Sequence, residues 1–256
     1  TEAMKYLRID AETHWGLLLN YHAFTKSRPA LRVVPPTTVI GAVALPLALM
    51  KNWPETVDDK SSADIIRPIF KGVFVSQNIS LSEYSDLSKI FSFDVDEKQI
   101  LADAAAVGKI YCGPVDDGVS ELNIVFLVDE DTARGVLGNG WTADLLTSAW
   151  AISRVGARES IVSVRNVEFG DVEKIETDVA ETRYYFPLSN GKPLDGVYTV
   201  ANVVDWRASS IGRYIGKPTV QVVVPYDIMN RRVSVVRVKP VGGFVYKAGE
   251  EVLVPW

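Results

Sequence analysis

Residues 21–50 read YHAFTKSRPALRVVPPTTVIGAVALPLALM, a short basic loop that runs into two prolines, two threonines and a small-residue apolar segment. Pro35 and Pro36 carry no amide hydrogen and hold the chain extended up to the point where a helix can begin. Thr37 and Thr38 suit the cap of a helix over 37–52, kinked at Pro46 and ended by Trp53-Pro54. A helix start leaves backbone amides unpaired at the positive end of its dipole, so phosphate or another anion can be held there. Lys26, Arg28 and Arg32 lie just upstream and favour the same ligand. A Pro-Pro-Thr-Thr start is also an ordinary opening to a buried helix, and the basic residues are what tilt the reading toward a phosphate-gripping junction.

Strand-like stretches, KYLRID and WGLLLN, precede this loop. From 55 to about 121 the pattern breaks into short apolar pieces separated by Ser, Asp and Gly, which reads as an insertion. LNIVFLV at 122–128 is a continuous apolar run between acidic residues, as in a central buried strand. The helix expected after it spans 142–154, with Thr142 as cap, Leu145, Leu146, Ala149, Trp150 and Ile152 on its core face, and Gly156 as its stop. The runs SIVSVRNVEF, RYYFPL, GVYTVANVV, TVQVVVPYDI, RRVSVVRV and FVYKAGEEVLVPW are β-branched and aromatic, so the C-terminal part is mostly sheet. This order fits an α+β fold: a ferredoxin-like βαββαβ unit over 4–170 with the insertion at 55–121, then a β-rich C-terminal lobe over 171–256.

With 256 residues, 47% hydrophobic and 23% charged, the chain can bury a substantial core. No uncharged apolar run reaches about 18 residues, so no membrane span is expected. TEAMKYLRID lacks the apolar region of a signal peptide, Met4 reads as a natural start, and the expected location is cytoplasmic. Cys112 is the single cysteine, with only His14 and His22 as histidines, which excludes an intrachain disulfide and a Cys/His zinc site. Beside Gly113 and Pro114, Cys112 reads as a small buried or turn residue.

The net charge of −5 argues against indiscriminate coating of nucleic acid. The charge is unevenly spread. Residues 1–54 carry 6 basic and 3 acidic side chains, 55–131 carry 6 and 16, and 132–256 carry 15 and 13, for nets of +3, −10 and +2. An acidic middle between mildly basic ends leaves room for one phosphate-facing surface, and equally for a solvated acidic insertion.

RPALRVVPPTTVIGAVA at 28–44 resembles the motif around the first helix of CRISPR-associated protein five, a RAMP-superfamily family. SRVGARESIVSV at 153–164 is similar to the Gly-basic turn that leads into a strand in that family. The style of the sequence is closest to archaeal type I-A members. The resemblance implies a modified RNA-recognition (ferredoxin-like) domain with a thumb-like hairpin inside the insertion. It implies an RNA-binding subunit of the type I effector Cascade that grips the 5′ handle of the guide crRNA and caps the backbone-subunit filament in antiviral defence. The implied partners are the crRNA handle, the backbone and large subunits, and target DNA near the PAM, with no cofactor and no metal. Base pairing would supply target recognition, so backbone and shape contacts suffice for the protein.

Carried across by position, Lys26, Arg28 and Arg32 would approach handle phosphates, and Thr37 and Thr38 would present the helix N-terminus. Arg154, Arg158 and Arg165 would line the same groove, and Tyr21 and His22 would stack on unpaired bases, with Phe24 as a further stacking or core residue. Arg231 and Arg232 fall in an expected turn, where solvated charge is the plainer reading.

Relatives of this kind include metal-independent endoribonucleases, in which a Tyr or His deprotonates the 2′-hydroxyl and a Lys steadies the developing charge. Tyr21, His22 and Lys26 offer those groups for processing precursor crRNA, although a loop Tyr-His pair beside an RNA groove is more often a stacking pair, and the chain is read as non-catalytic. A third reading is a cytoplasmic α+β enzyme that binds an anionic small molecule at the Thr37 helix start. No phosphate-binding loop, dinucleotide fingerprint or nucleophile elbow supports it. The acidic pairs Asp58-Asp59 and Asp116-Asp117 sit in polar, turn-like segments and read as solvated charge.

Overall fold

The strand β5 (Glu121–Asp129) is apolar at consecutive positions because it is buried on both faces. A computed structural model describes residues 4–19, 27–54, 56–57, 60–208, 210 and 216–256, with the backbone alone at 27, 28, 57, 88 and 90. Ile124, Phe126 and Val128 of β5 point to one side, where Leu7 and Ile9 of β1 (Met4–Thr13) meet Val39, Val43 and Leu47 of α1 (Pro36–Lys51). Val125 and Leu127 point to the other side and pack with Phe74, Tyr184 and Leu253.

The other members of the sheet are β2 (Phe70–Asn78), β6 (Val162–Glu176), β9 (Phe244–Ala248) and β10 (Glu251–Leu253), and the order across it is β10-β9-β6-β1-β5-β2. Every pairing is antiparallel. Helix α1 connects β1 toward β2, and two helices, α2 (Glu130–Leu137) and α3 (Trp141–Trp150), lie between β5 and β6. The 55–121 span, expected as one insertion, is divided: β2 is an edge strand of the sheet, buried at seven of its nine positions, and the excursion is the hairpin of β3 (Ser80–Asp94) and β4 (Gln99–Gly113). At about 3.4 Å per residue, 15-residue strands carry that hairpin roughly 50 Å from base to tip.

The C-terminal segment continues the sheet through β9 and β10 and adds the antiparallel pair β7 (Thr199–Val204) and β8 (Thr219–Val224). It also closes the sheet face away from the helices with polar contacts. Arg183 bonds Glu251 at 2.6 Å and Asn123 at 3.3 Å, Asn123 donates to Asp10 at 2.6 Å, and Arg8 pairs with Asp10 at 3.1 Å.

Three helix expectations are corrected. The cap of α1 is Pro35 in an extended conformation, with Pro36 in the first turn, so Thr37 and Thr38 lie inside the helix and no side chain caps it. Proline's fixed φ lets it start the helix where threonine would otherwise stand. Helix α3 starts at Trp141 and ends at Trp150, short of the expected 142–154. Trp150, expected in the core, is 52% exposed: Trp141, Leu145, Ser148 and Ala149 share the buried face, and position 150 is turned about 100° from 149. The unforeseen α2 is announced by Asp129, whose carboxylate accepts the Thr132 amide at 2.8 Å, followed by Glu130 and Asp131 in the first turn. Among the described residues no helix is long and apolar enough to cross a membrane, and no group of three or more His, Cys, Asp or Glu could hold a metal ion.

Candidate nucleic-acid interface

The two ends of the basic loop are joined to each other. The Leu31 amide donates to Leu19 O at 2.6 Å, closing the loop behind Arg28. Both ends also dock on the free edge of β4: Gly16–Leu17 runs antiparallel to it at Tyr111 and Ile110, and Ser27–Arg28 runs parallel to it at Ala106 and Val107. The backbone of Arg28 therefore lies against the middle of β4, about halfway from the base of the hairpin to its tip, and its side chain lies outside the described atoms. Tyr21, His22, Phe24 and Lys26 lie outside the described residues.

Arg32 faces the hairpin from below. Its Nε and Nη2 donate to Glu83 Oε2 at 2.9 and 2.8 Å, and the guanidinium stays half-exposed. The backbone around it is held by Gln77 of β2, which is buried: Gln77 Oε1 accepts the Val34 amide at 2.7 Å and the Tyr185 hydroxyl, and its Nε2 donates to Arg32 O at 3.1 Å. The structure thus fixes the height of Arg32 through one side chain from the sheet edge.

The Gly-basic turn at 153–161 meets the same place. Arg154 bridges Ile161, the Val155 amide donates to Ser160 O at 3.0 Å, and Ser160 Oγ accepts the Leu18 amide at 2.8 Å. Trp15 closes the contact by donating its indole N–H to Glu159 O. Arg158 projects at the exposed turn between them, with no ion pair among the described residues, and Arg154 is half-buried. Arg165, on the following strand, is held by Glu12 at 2.7 Å, which offsets its charge. Thr37 and Thr38 are half-buried in the first turn of α1, which has no acidic residue. The fold therefore gathers the two described ends of the basic loop, Arg32, and the turn bearing Arg154 and Arg158 around the lower half of the hairpin, with Arg165 of β6 paired to Glu12.

Sequence reasoning missed the aromatic side chains there. Tyr84 and Tyr111 stack at 4.4 Å between centroids, Trp15 meets Tyr111 edge-on at 6.3 Å, and Tyr111 is half exposed. Lys109, directly across from Tyr84, pairs with Asp86 at 3.0 Å. The period-two pattern of YSDLSKIFSF against LADAAAVGKIY, around an Asp-Glu-Lys turn, is the signal that would have found the hairpin. The tip is acidic, with Asp94, Asp96 and Glu97, and one face carries exposed Leu87, Phe91, Phe93 and Ile100. Cys112, at the base of β4, is buried, which pushes its thiol up to about 11 and leaves it unreactive at neutral pH.

No family model matches the chain. The protein described as CRISPR-associated protein Cas5 3 of Saccharolobus solfataricus is 24% identical over 200 residues, 72% of each chain. CRISPR system aCascade subunit Cas5 1 of the same organism is 23% identical over 197 residues, again 72% of each. The chain is a Cas5 homologue. Its fold is that of a CRISPR protein from Archaeoglobus fulgidus solved by crystallography, with a TM-score of 0.65 at 20% identity over 98% of this chain and 99% of that one.

Proposed function

We propose that this chain grips the 5′ handle of a crRNA at the base of its hairpin, as a non-catalytic subunit of a type I-A-like Cascade in the cytoplasm. The observation that carries this is the joining of two basic segments, far apart in sequence, along the lower half of one hairpin: Ser160 holds Leu18 beside the strand Gly16–Leu17, which pairs with β4 near its base, and Ser27–Arg28 pairs with the middle of β4. In this reading the strand order β6-β1-β5-β2 is the ferredoxin-like unit, and the β3-β4 hairpin is the thumb.

RNA-recognition domains stack bases on an open sheet face. Here that face is covered by Arg183, Tyr184 and the β9-β10 strands, which argues for an interface at the hairpin base instead. Tyr111, Tyr84 and Trp15 supply stacking surface, Arg158 supplies a cation with no ion pair among the described residues, Arg32 supplies one that a phosphate would draw from Glu83, and the acidic tip of the hairpin is kept for other contacts. Its apolar side, with Leu87 and Phe91, and its outer part, where among the described residues β3 and β4 pair only with each other, suit packing on a backbone subunit. The large subunit and target DNA near the PAM would meet other surfaces.

The test is a salt titration of short single-stranded RNA bound to the full chain. Each phosphate contact removed should lower the slope of log K against log salt by about 0.7. Arg158→Ala should remove close to one such contact and Arg165→Ala much less, because Glu12 already neutralises Arg165. RNA that is bound and returned at its full length supports the non-catalytic reading. Cleavage that disappears in His22→Ala would replace it with the endoribonuclease reading.

A further inference from the structure

Under Arg32, where the hairpin base meets the C-terminal strands, lies a cavity of about 380 Å³. This is within the range of roughly 300–1,000 Å³ in which small ligands are held. Leu81 and Ile110 of the hairpin form one wall, and Val224 and Ile228 form the other. Two arginines stand at the mouth: Arg32, paired with Glu83, and Arg231, whose Nη1 donates to Ser82 Oγ at 3.1 Å.

Arg231 is aimed there by a built turn. The Asp227 carboxylate accepts the amides of Met229 at 2.9 Å and Asn230 at 3.0 Å and the Asn230 side chain at 2.6 Å; these bonds also hold it below the usual carboxylate range. Arg231 then takes φ 53°, a left-handed conformation that a non-glycine residue keeps only where its surroundings enforce it. The opposite side is fixed by Tyr226, whose hydroxyl donates to Ile79 O at 2.7 Å and accepts the Leu81 amide at 3.3 Å. A slot walled by those four apolar residues and lined also by polar Gln77, Ser82 and Thr199, with two guanidinium groups and one carboxylate beside it, has the chemistry of a nucleotide site, with a base inside and a phosphate at the rim.

We infer that this cavity takes one extruded nucleotide of the bound RNA, its base between the apolar walls and its phosphate across Arg32 and Arg231. Glu83 is the counter-ion that the phosphate displaces from Arg32. The inference rests on the RNA-binding reading and adds the C-terminal segment to it, which the basic-loop motif does not reach.

The experiment is ultraviolet crosslinking of the full chain to the RNA that copurifies with it, followed by mass spectrometry of tryptic peptides. A nucleotide adduct on the tryptic peptide 214–231, which carries Tyr226 and Ile228, is expected. Ile228→Trp, which fills the cavity from a half-exposed position, should reduce that adduct at least tenfold. Arg231→Ala, a surface change that leaves the walls intact, should reduce it about threefold or more, and the exposed Arg237→Ala should leave it unchanged. RNA crosslinked only elsewhere, or an adduct that survives Ile228→Trp, would overturn the cavity while the RNA-binding reading stands. Absence of any copurifying RNA would overturn both.

Discussion

The Ser160 hydroxyl accepts the Leu18 amide at 2.8 Å, so a turn 142 residues away in sequence holds the entrance of the basic loop. Gly156 makes that approach possible. It sits at φ 103°, and a Cβ there would fall 2.8 Å from Leu19 Cδ2 and 3.2 Å from Leu18 O.

Gly156→Ala should therefore destabilise the protein by about 1–3 kcal/mol, read as a lower urea midpoint with unchanged slope. It should also weaken RNA binding, because the turn and loop separate. Gly135→Ala in α2, where a Cβ would meet nothing within 4 Å, is the control and should be neutral or slightly stabilising.

Gln77 is a second point of leverage. Gln77→Leu keeps the volume but orphans the buried Val34 amide and the Tyr185 hydroxyl, at a cost of about 1–3 kcal/mol per orphaned group. Hydrogen exchange at Val34 should accelerate, and RNA affinity should fall although Gln77 is 2% exposed and beyond direct reach of a phosphate.

Cys112 sets an alkaline limit. Burial raises its folded pKa from 9.0 to about 11, so the folded state favours the neutral thiol. The stabilisation is complete below pH 9 and is lost as pH rises from 9 to 11, where the unfolded chain ionises first. Wild type should thus lose stability faster than Cys112→Ala across that window, by about one proton's slope, and a thiol reagent at pH 8 should leave the native protein unmodified. Equal slopes would contradict the burial of this thiol.

Much of the fold was legible because its determinants are local or periodic. LNIVFLV announced a strand buried on both sides, and Pro35-Pro36 announced a helix start. Trp150 was misjudged because Leu145, Leu146, Ala149 and Trp150 are all apolar and span a broad arc, so the pattern allows more than one core face, and packing of Trp141 on Phe169, with ring centroids 5.8 Å apart, selects the true one. Arg28, Arg32, Arg154 and Arg158 were found as charges beside motifs. Glu83, Tyr84, Tyr111 and Arg231 were not, because they reach the hairpin base through pairings across many residues that no sequence window contains.

The most direct test of the central claim is to express the chain with its genomic neighbours, purify it, and sequence the RNA crosslinked to it, comparing wild type with Arg28→Glu/Arg32→Glu. Handle gripping predicts short RNAs that share one repeat-derived 5′ tag and are lost from the double variant. Wild type without such RNA, or a variant that retains it, would contradict the account.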